Sequence, residues 1–227
     1  MVTLPSGDKT YTESVYYYDK REDGLGFYDE CGNYVSDTKA ISPFLGAVSE
    51  ALGRLHLGPE GAATIDFLMG HKNTVTIASS SGGNNGGPSG VLWNPNNLGN
   101  NIPQQGGGKT RSAFIGLGHE LAHTEDHWKG TFNGGIWISS DITKTDPIYS
   151  GEIFSTHKEN LFRAEQGIPL RTHYAYNSDN DPDDNTPILR TGTNQSMYVL
   201  TNGAINTNGK GEYKQVPRKQ ASFNYKK

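Results

Sequence analysis

Five consecutive residues, His119-Glu120-Leu121-Ala122-His123, have the types and spacing of a metal-assisted hydrolytic centre. The pattern H-E-x-x-H is the signature of zinc hydrolases. On an α-helix, residues four apart stack on one face, so both imidazoles reach a single ion. The carboxylate beside the first imidazole lies about 100° round the axis, where it touches a water held by that ion. His119 and His123 are therefore candidate ligands of Zn2+, and Glu120 is the candidate general base. The bland alternative is a surface helix with two solvated histidines, and a helical wheel over residues 112–128 argues against it. Phe114, Leu117, Leu121 and Trp128 fall on one side, while His119, Glu120 and His123 fall on the other. One face packs and the other looks into a cleft. Gly116 and Gly118 weaken this helix by about 1 kcal/mol each relative to Ala.

Catalytic zinc takes three protein ligands and a water, so two histidines do not complete a site. A second helix is expected to open at Asp146-Pro147, a cap followed by proline, and to stop at Gly167 with Pro169 beyond. On it Glu152, Thr156, Glu159 and Arg163 form one polar stripe opposed by Phe154 and Leu161. The two glutamates stand about 10 Å apart along the axis, so both cannot bind one ion. One is the ligand, and the other orients a histidine or an arginine. Without the histidine pair, a solvated face with Glu159–Arg163 pairing would be the preferred reading. Asp126 is a poorer acidic ligand, because it shares a helix with both histidines. His127 reads as solvated, His157 as structural, and His173 needs no role. Cys31, the single cysteine, has no partner and no reactive setting.

The elements that must position these residues belong to an α+β chain with a small mixed sheet. Abundant glycine, 29 of 227 residues, and an apolar third point to a loop-rich domain, and no linker favours two domains. Residues 1–40 are polar and tyrosine-rich, either short edge strands or a partly ordered arm. Residues 41–227 form the domain that carries the site, with its core at about 74–176. Ser42-Pro43 starts a helix on which Leu45, Val48, Ala51, Leu52 and Leu55 keep three-to-four spacing, and a second short helix covers 62–69. Residues 74–78 alternate as a strand, 79–90 are a flexible stretch, and 91–93 form a second strand. That second strand is a candidate sheet edge for an extended substrate. Further strands are expected at 136–138 and 197–200. The net charge of −4 gives no reason to expect nucleic acid, and no run is long enough to span a membrane. No apolar signal peptide opens the chain. The acidic run at 179–184 lacks EF-hand spacing and reads as a solvated loop, and the basic end near Lys214, Arg218, Lys219, Lys226 and Lys227 as a disordered terminus.

The order His119-Glu120-Leu121-x-His123, then Glu152, then Glu159-Asn160 with Arg163, then Arg171-x-x-Tyr174, resembles the NleD-type family of bacterial effector metallopeptidases. Similar domains end Rhs-type polymorphic toxins, and the skeleton is similar to clostridial neurotoxin light chains. The resemblance covers about residues 74–176. It implies a zincin-like fold and a zinc endopeptidase whose third ligand is Glu152. It also implies that Glu159 is a supporting residue and that Arg171 and Tyr174 stabilise the tetrahedral intermediate. In the family a longer insert separates the ligand glutamate from the Glu-Asn pair. The implied substrate is a protein, such as a host signalling kinase. Delivery by a specialised secretion system, action in the target-cell cytoplasm and a monomeric state are further expectations. An antibacterial polymorphic toxin and a non-catalytic zinc-holding module are the rival readings. The second is disfavoured because structural zinc sites usually close with cysteines.

Overall fold

Short β-branched and aromatic runs collect into one mixed sheet in the first half of the chain. The computed structural model describes residues 1–4, 14–99, 101–143, 146–201, 204–208 and 222–226; Lys214, Arg218, Lys219 and Lys227 lie outside them. The chain divides into two compact units, residues 1–98 with 113–125 and residues 99–112 with 126–227. The first unit holds β1 (Val2–Leu4), β2 (Ser14–Arg21), β3 (Gly24–Tyr28), α1 (Thr38–Ile41), α2 (Pro43–His56), α3 (Pro59–Gly70), β4 (Thr76–Ser79), β5 (Asn85–Gly86) and β6 (Gly90–Trp93). It also holds most of α4 (Ala113–Lys129). The strand order is β3-β2-β1-β4-β6-β5, with β4 parallel to both β1 and β6 and the other pairs antiparallel. The tyrosine-rich N-terminal region thus supplies half the sheet, with β1 inside it.

Local chemistry accounts for the helices beside this sheet. The Ser42 hydroxyl caps α2 by accepting from the Phe44 N–H at 3.2 Å, and Pro43 occupies the first turn. Leu45, Val48, Ala51, Leu52 and Leu55 are buried, as their spacing predicts. In α3, Ile65 and Leu68 are buried. The expected edge at 91–93 is corrected: β6 lies between β4 and β5, and β5 ends the sheet. The glycine-rich stretch folds back as a short hairpin, Asn85 opposite Leu92 and Gly86 opposite Val91, and takes the edge for itself.

The second unit contains β7 (Ile136–Ile138), α5 (Ser140–Thr143), β8 (Ile148–Tyr149), α6 (Gly151–Glu165), β9 (Gln195–Thr201), β10 (Ala204–Ile205) and β11 (Ser222–Asn224). Strand β7 pairs with β8, and β9 is flanked by β10 and β11. Trp137, Ile138, Ile153, Leu170, Tyr198 and Tyr225 are among its core residues. The expected helix start at Asp146-Pro147 is also corrected, to Gly151. Ile148–Tyr149 pair with β7 instead, and the turn at Ser150 follows. The helix ends as expected, with Gly167 at φ +65° just beyond it. The class is α+β, with H-E-x-x-H on a helix in a zincin-like arrangement. Among the described residues no helix is long and apolar enough to cross a membrane.

Candidate active site

Helix α4 carries the histidine pair and is anchored along its length. In its first turn the Ala113 carbonyl accepts from Trp93 Nε1 at 3.1 Å, and the Arg54 guanidinium lies 4.0 Å from the Phe114 ring centre. One turn past the first histidine, Thr124 Oγ1 donates to the Gly87 carbonyl at 2.8 Å. The backbone of Gly86 rests directly on that of Glu120: a Cβ on Gly86 would lie 2.3 Å from the Glu120 carbonyl oxygen. Thr64 donates to the buried Glu125 carboxylate at 2.8 Å. Gly130, at φ +68°, ends the helix.

His119, Glu120 and His123 are 4%, 6% and 8% exposed, so their face is as water-poor as the packing face. The two imidazole centroids stand 5.1 Å apart, edge to face. One candidate ligand atom from each of the three side chains falls within 4.8 Å of the others. That spacing is compatible with two imidazoles on one ion and the carboxylate beside it, a donor set that suits zinc.

The other candidates belong to the second unit. Glu159 is fully buried. Its Oε1 accepts from Arg163 Nε at 2.8 Å, and its Oε2 accepts from Arg171 Nη1 at 2.9 Å and Arg111 Nη1 at 3.3 Å. Three guanidiniums therefore share one carboxylate. Burial lowers the pKa of Arg163, with Glu159 opposing the shift. Asn160 completes the grip on Arg171: its Oδ1 accepts from the Arg171 N–H at 2.7 Å, and its Nδ2 donates to the Arg171 carbonyl at 3.0 Å. The guanidinium of Arg171 also donates to the carbonyls of His173, at 3.2 Å, and Tyr174, and lies over the Tyr174 ring. Tyr174 is half-buried, its ring edge-on to Trp137. Glu152 is half-buried in the first turn of α6. Phe132 fixes that turn. It stacks on His127 with centroids 3.7 Å apart, and its ring fills the space where a Cβ on Gly151 would stand.

The remaining histidines have ordinary packing explanations. His157 is buried, with Nδ1 2.7 Å from the Tyr225 hydroxyl, and burial pushes its pKa down to about 3. Burial also lowers His173, whose Nδ1 is 3.1 Å from Thr172 Oγ1. Asp126 accepts from the Thr131 hydroxyl, which closes the end of α4. Cys31 is exposed. The sequence reading missed Gly86, Thr124, Arg111 and the double grip of Asn160. A glycine run preceding the histidine helix, and an arginine just before that helix begins, were the only available signals.

Comparison with known proteins adds one finding. A family model named Peptidase M91, described as an effector protein, matches residues 35–147. The match includes H-E-x-x-H and stops before α6. No curated protein and no solved structure matches. With that match over a buried His119-Glu120-His123 helix, the chain belongs to the M91 peptidases, the NleD-type effector family.

Proposed function

We propose that the chain is a zinc endopeptidase that cleaves a protein of the cell into which it is delivered. The buried His119-Glu120-His123 cluster, in a chain of a peptidase family, carries this reading. His119, His123 and Glu152 would hold the ion. When bound, zinc supplies Lewis acidity and brings the pKa of a water to about 7. Glu120 takes a proton from the attacking water and returns it to the leaving amine. The Tyr174 hydroxyl donates to the developing oxyanion. The preference for Glu152 over Glu159 is supported by occupancy, because both oxygens of Glu159 already accept from arginines.

Arg171 takes a different part from the direct oxyanion contact that the resemblance implies. Its donors serve Glu159 and two carbonyls, so it positions Tyr174 from behind. An extended substrate lies along the outer side of β5, the strand that ends the sheet and touches Glu120. The effector family supports action in a target cell, and delivery by a specialised secretion machine into its cytoplasm is part of the same proposal.

The test is Glu120→Gln. The variant keeps about one zinc per chain, measured by elemental analysis, and generates no new protein termini in a target-cell lysate where the wild type does. Undiminished cleavage by the variant, or a wild type that binds no zinc, overturns the proposal. Glu152→Gln should lose zinc, whereas Glu159→Gln, where folded, should keep it.

A further inference from the structure

We propose that Tyr225 is a positioning residue for Tyr174, acting through Asn160 and Arg171. The significance of Tyr174 rests on the reading above; the connection between the two tyrosines does not. Tyr225 follows β11, which pairs with β9 through Ser222 opposite Val199 and Asn224 opposite Gln195. Its N–H donates to the Asn194 carbonyl at 3.0 Å, and its side chain is 1% exposed. The rings of Phe223, Tyr225 and His157 pack with centroids 4.9 to 5.4 Å apart. This packing carries the Tyr225 hydroxyl to one face of α6, where His157 and Asn160 stand three residues apart.

Hydrogen counting gives the connection a direction. Ser196 and Asn160 both hydrogen-bond the Tyr225 oxygen in the sense that favours its charged form, so the oxygen accepts from them and its own O–H goes to His157 Nδ1 at 2.7 Å. Asn160 spends its Oδ1 and one N–H on the backbone of Arg171. The Asn160 side chain also hydrogen-bonds the Tyr225 oxygen, which takes its second N–H. A fully buried amide with every donor and acceptor engaged has one orientation. That orientation sets the backbone of Arg171, whose guanidinium then reaches the carbonyl and ring of Tyr174. The Tyr225 phenol thus fixes the Tyr174 phenol, and takes no part in chemistry itself.

The test is spectroscopic and needs no substrate. In the full chain, Tyr225→Phe keeps the ring and removes the hydroxyl. The Arg171 Nε–H and Asn160 side-chain amide signals, assigned with Arg171→Lys and Asn160→Asp, are expected to shift and broaden. Phe223→Leu loosens the same strand without touching the hydroxyl, and is expected to lower the melting temperature while leaving both signals in place. Unmoved signals in Tyr225→Phe overturn the proposal, as does an equal shift in Phe223→Leu. Should Tyr225→Phe not fold, 3-fluorotyrosine at position 225 keeps the ring and alters only the hydroxyl's acidity. A shifted Arg171 Nε–H then supports the proposal, and an unshifted one refutes it. None of these outcomes depends on whether the chain cleaves peptides, so a failure here is separable from a failure of the peptidase reading.

Discussion

Glu159→Gln removes one charge and almost no volume from the most electrostatically loaded point of the second unit. The carboxylate is completely buried and accepts from guanidinium nitrogens at 2.8, 2.9 and 3.3 Å. Breaking a buried ion pair by removing one partner costs about 3–5 kcal/mol, because the other charge stays behind unpaired. Here three charges stay behind, so the upper end of that range is expected. For a chain of this size the loss corresponds to a fall in melting temperature of roughly 10–20 °C. Urea and thermal unfolding followed by far-UV circular dichroism measure both quantities. Charge can be separated from shape by a second substitution. Arg111 is the least well-held cation, since its contact with Glu159 is the longest of the three and its Nε is buried without a hydrogen-bond partner among the described residues. Adding Arg111→Met to Glu159→Gln should therefore restore part of the lost stability. A loss below about 1 kcal/mol, or no recovery in the double variant, would show that the carboxylate is not the keystone described here.

Two further outcomes follow from the same geometry. Gly86→Ala should cost about 1–3 kcal/mol and depress cleavage, because its methyl meets the Glu120 backbone, whereas a Cβ on Gly87 meets nothing within 4 Å. Equal behaviour of the two alanine variants in a melting and cleavage comparison would refute the close approach. The His157 imidazole ionises at about 3 in the fold and near 6.5 when unfolded. Its contribution to stability is thus complete above pH 6.5 and is lost as pH falls from there towards 3. By about pH 4.5 the loss reaches roughly 3 kcal/mol, and His157→Gln should flatten that part of the stability profile.

The histidine helix was legible because its period and chemistry agree within seventeen residues. Helix α2 was legible for the same reason, with Ser42-Pro43 at its start and aliphatic residues on one stripe. The start of α6 was misread because Asp146-Pro147 is a good local signal that lost to strand pairing between Ile148–Tyr149 and β7. Pairing across a turn is a tertiary preference, and no window of sequence carries it. That a glutamate of the α6 stripe orients an arginine was legible, but two of the arginines on Glu159, Arg111 and Arg171, were not, because they lie 48 and 12 residues away. The place of β1 inside the sheet escaped for the same reason, since three residues of strand take their meaning from β4 far along the chain.

On the proposed placement of substrate along β5, the two-residue length of that strand bears on target choice. So short a rim offers an incoming chain only about two main-chain hydrogen bonds, a net gain of roughly 1–3 kcal/mol and no discrimination among side chains. Short peptides should accordingly be poor probes of this protein, and an intact folded target, gripped at a distance from the scissile bond, should be a far better one.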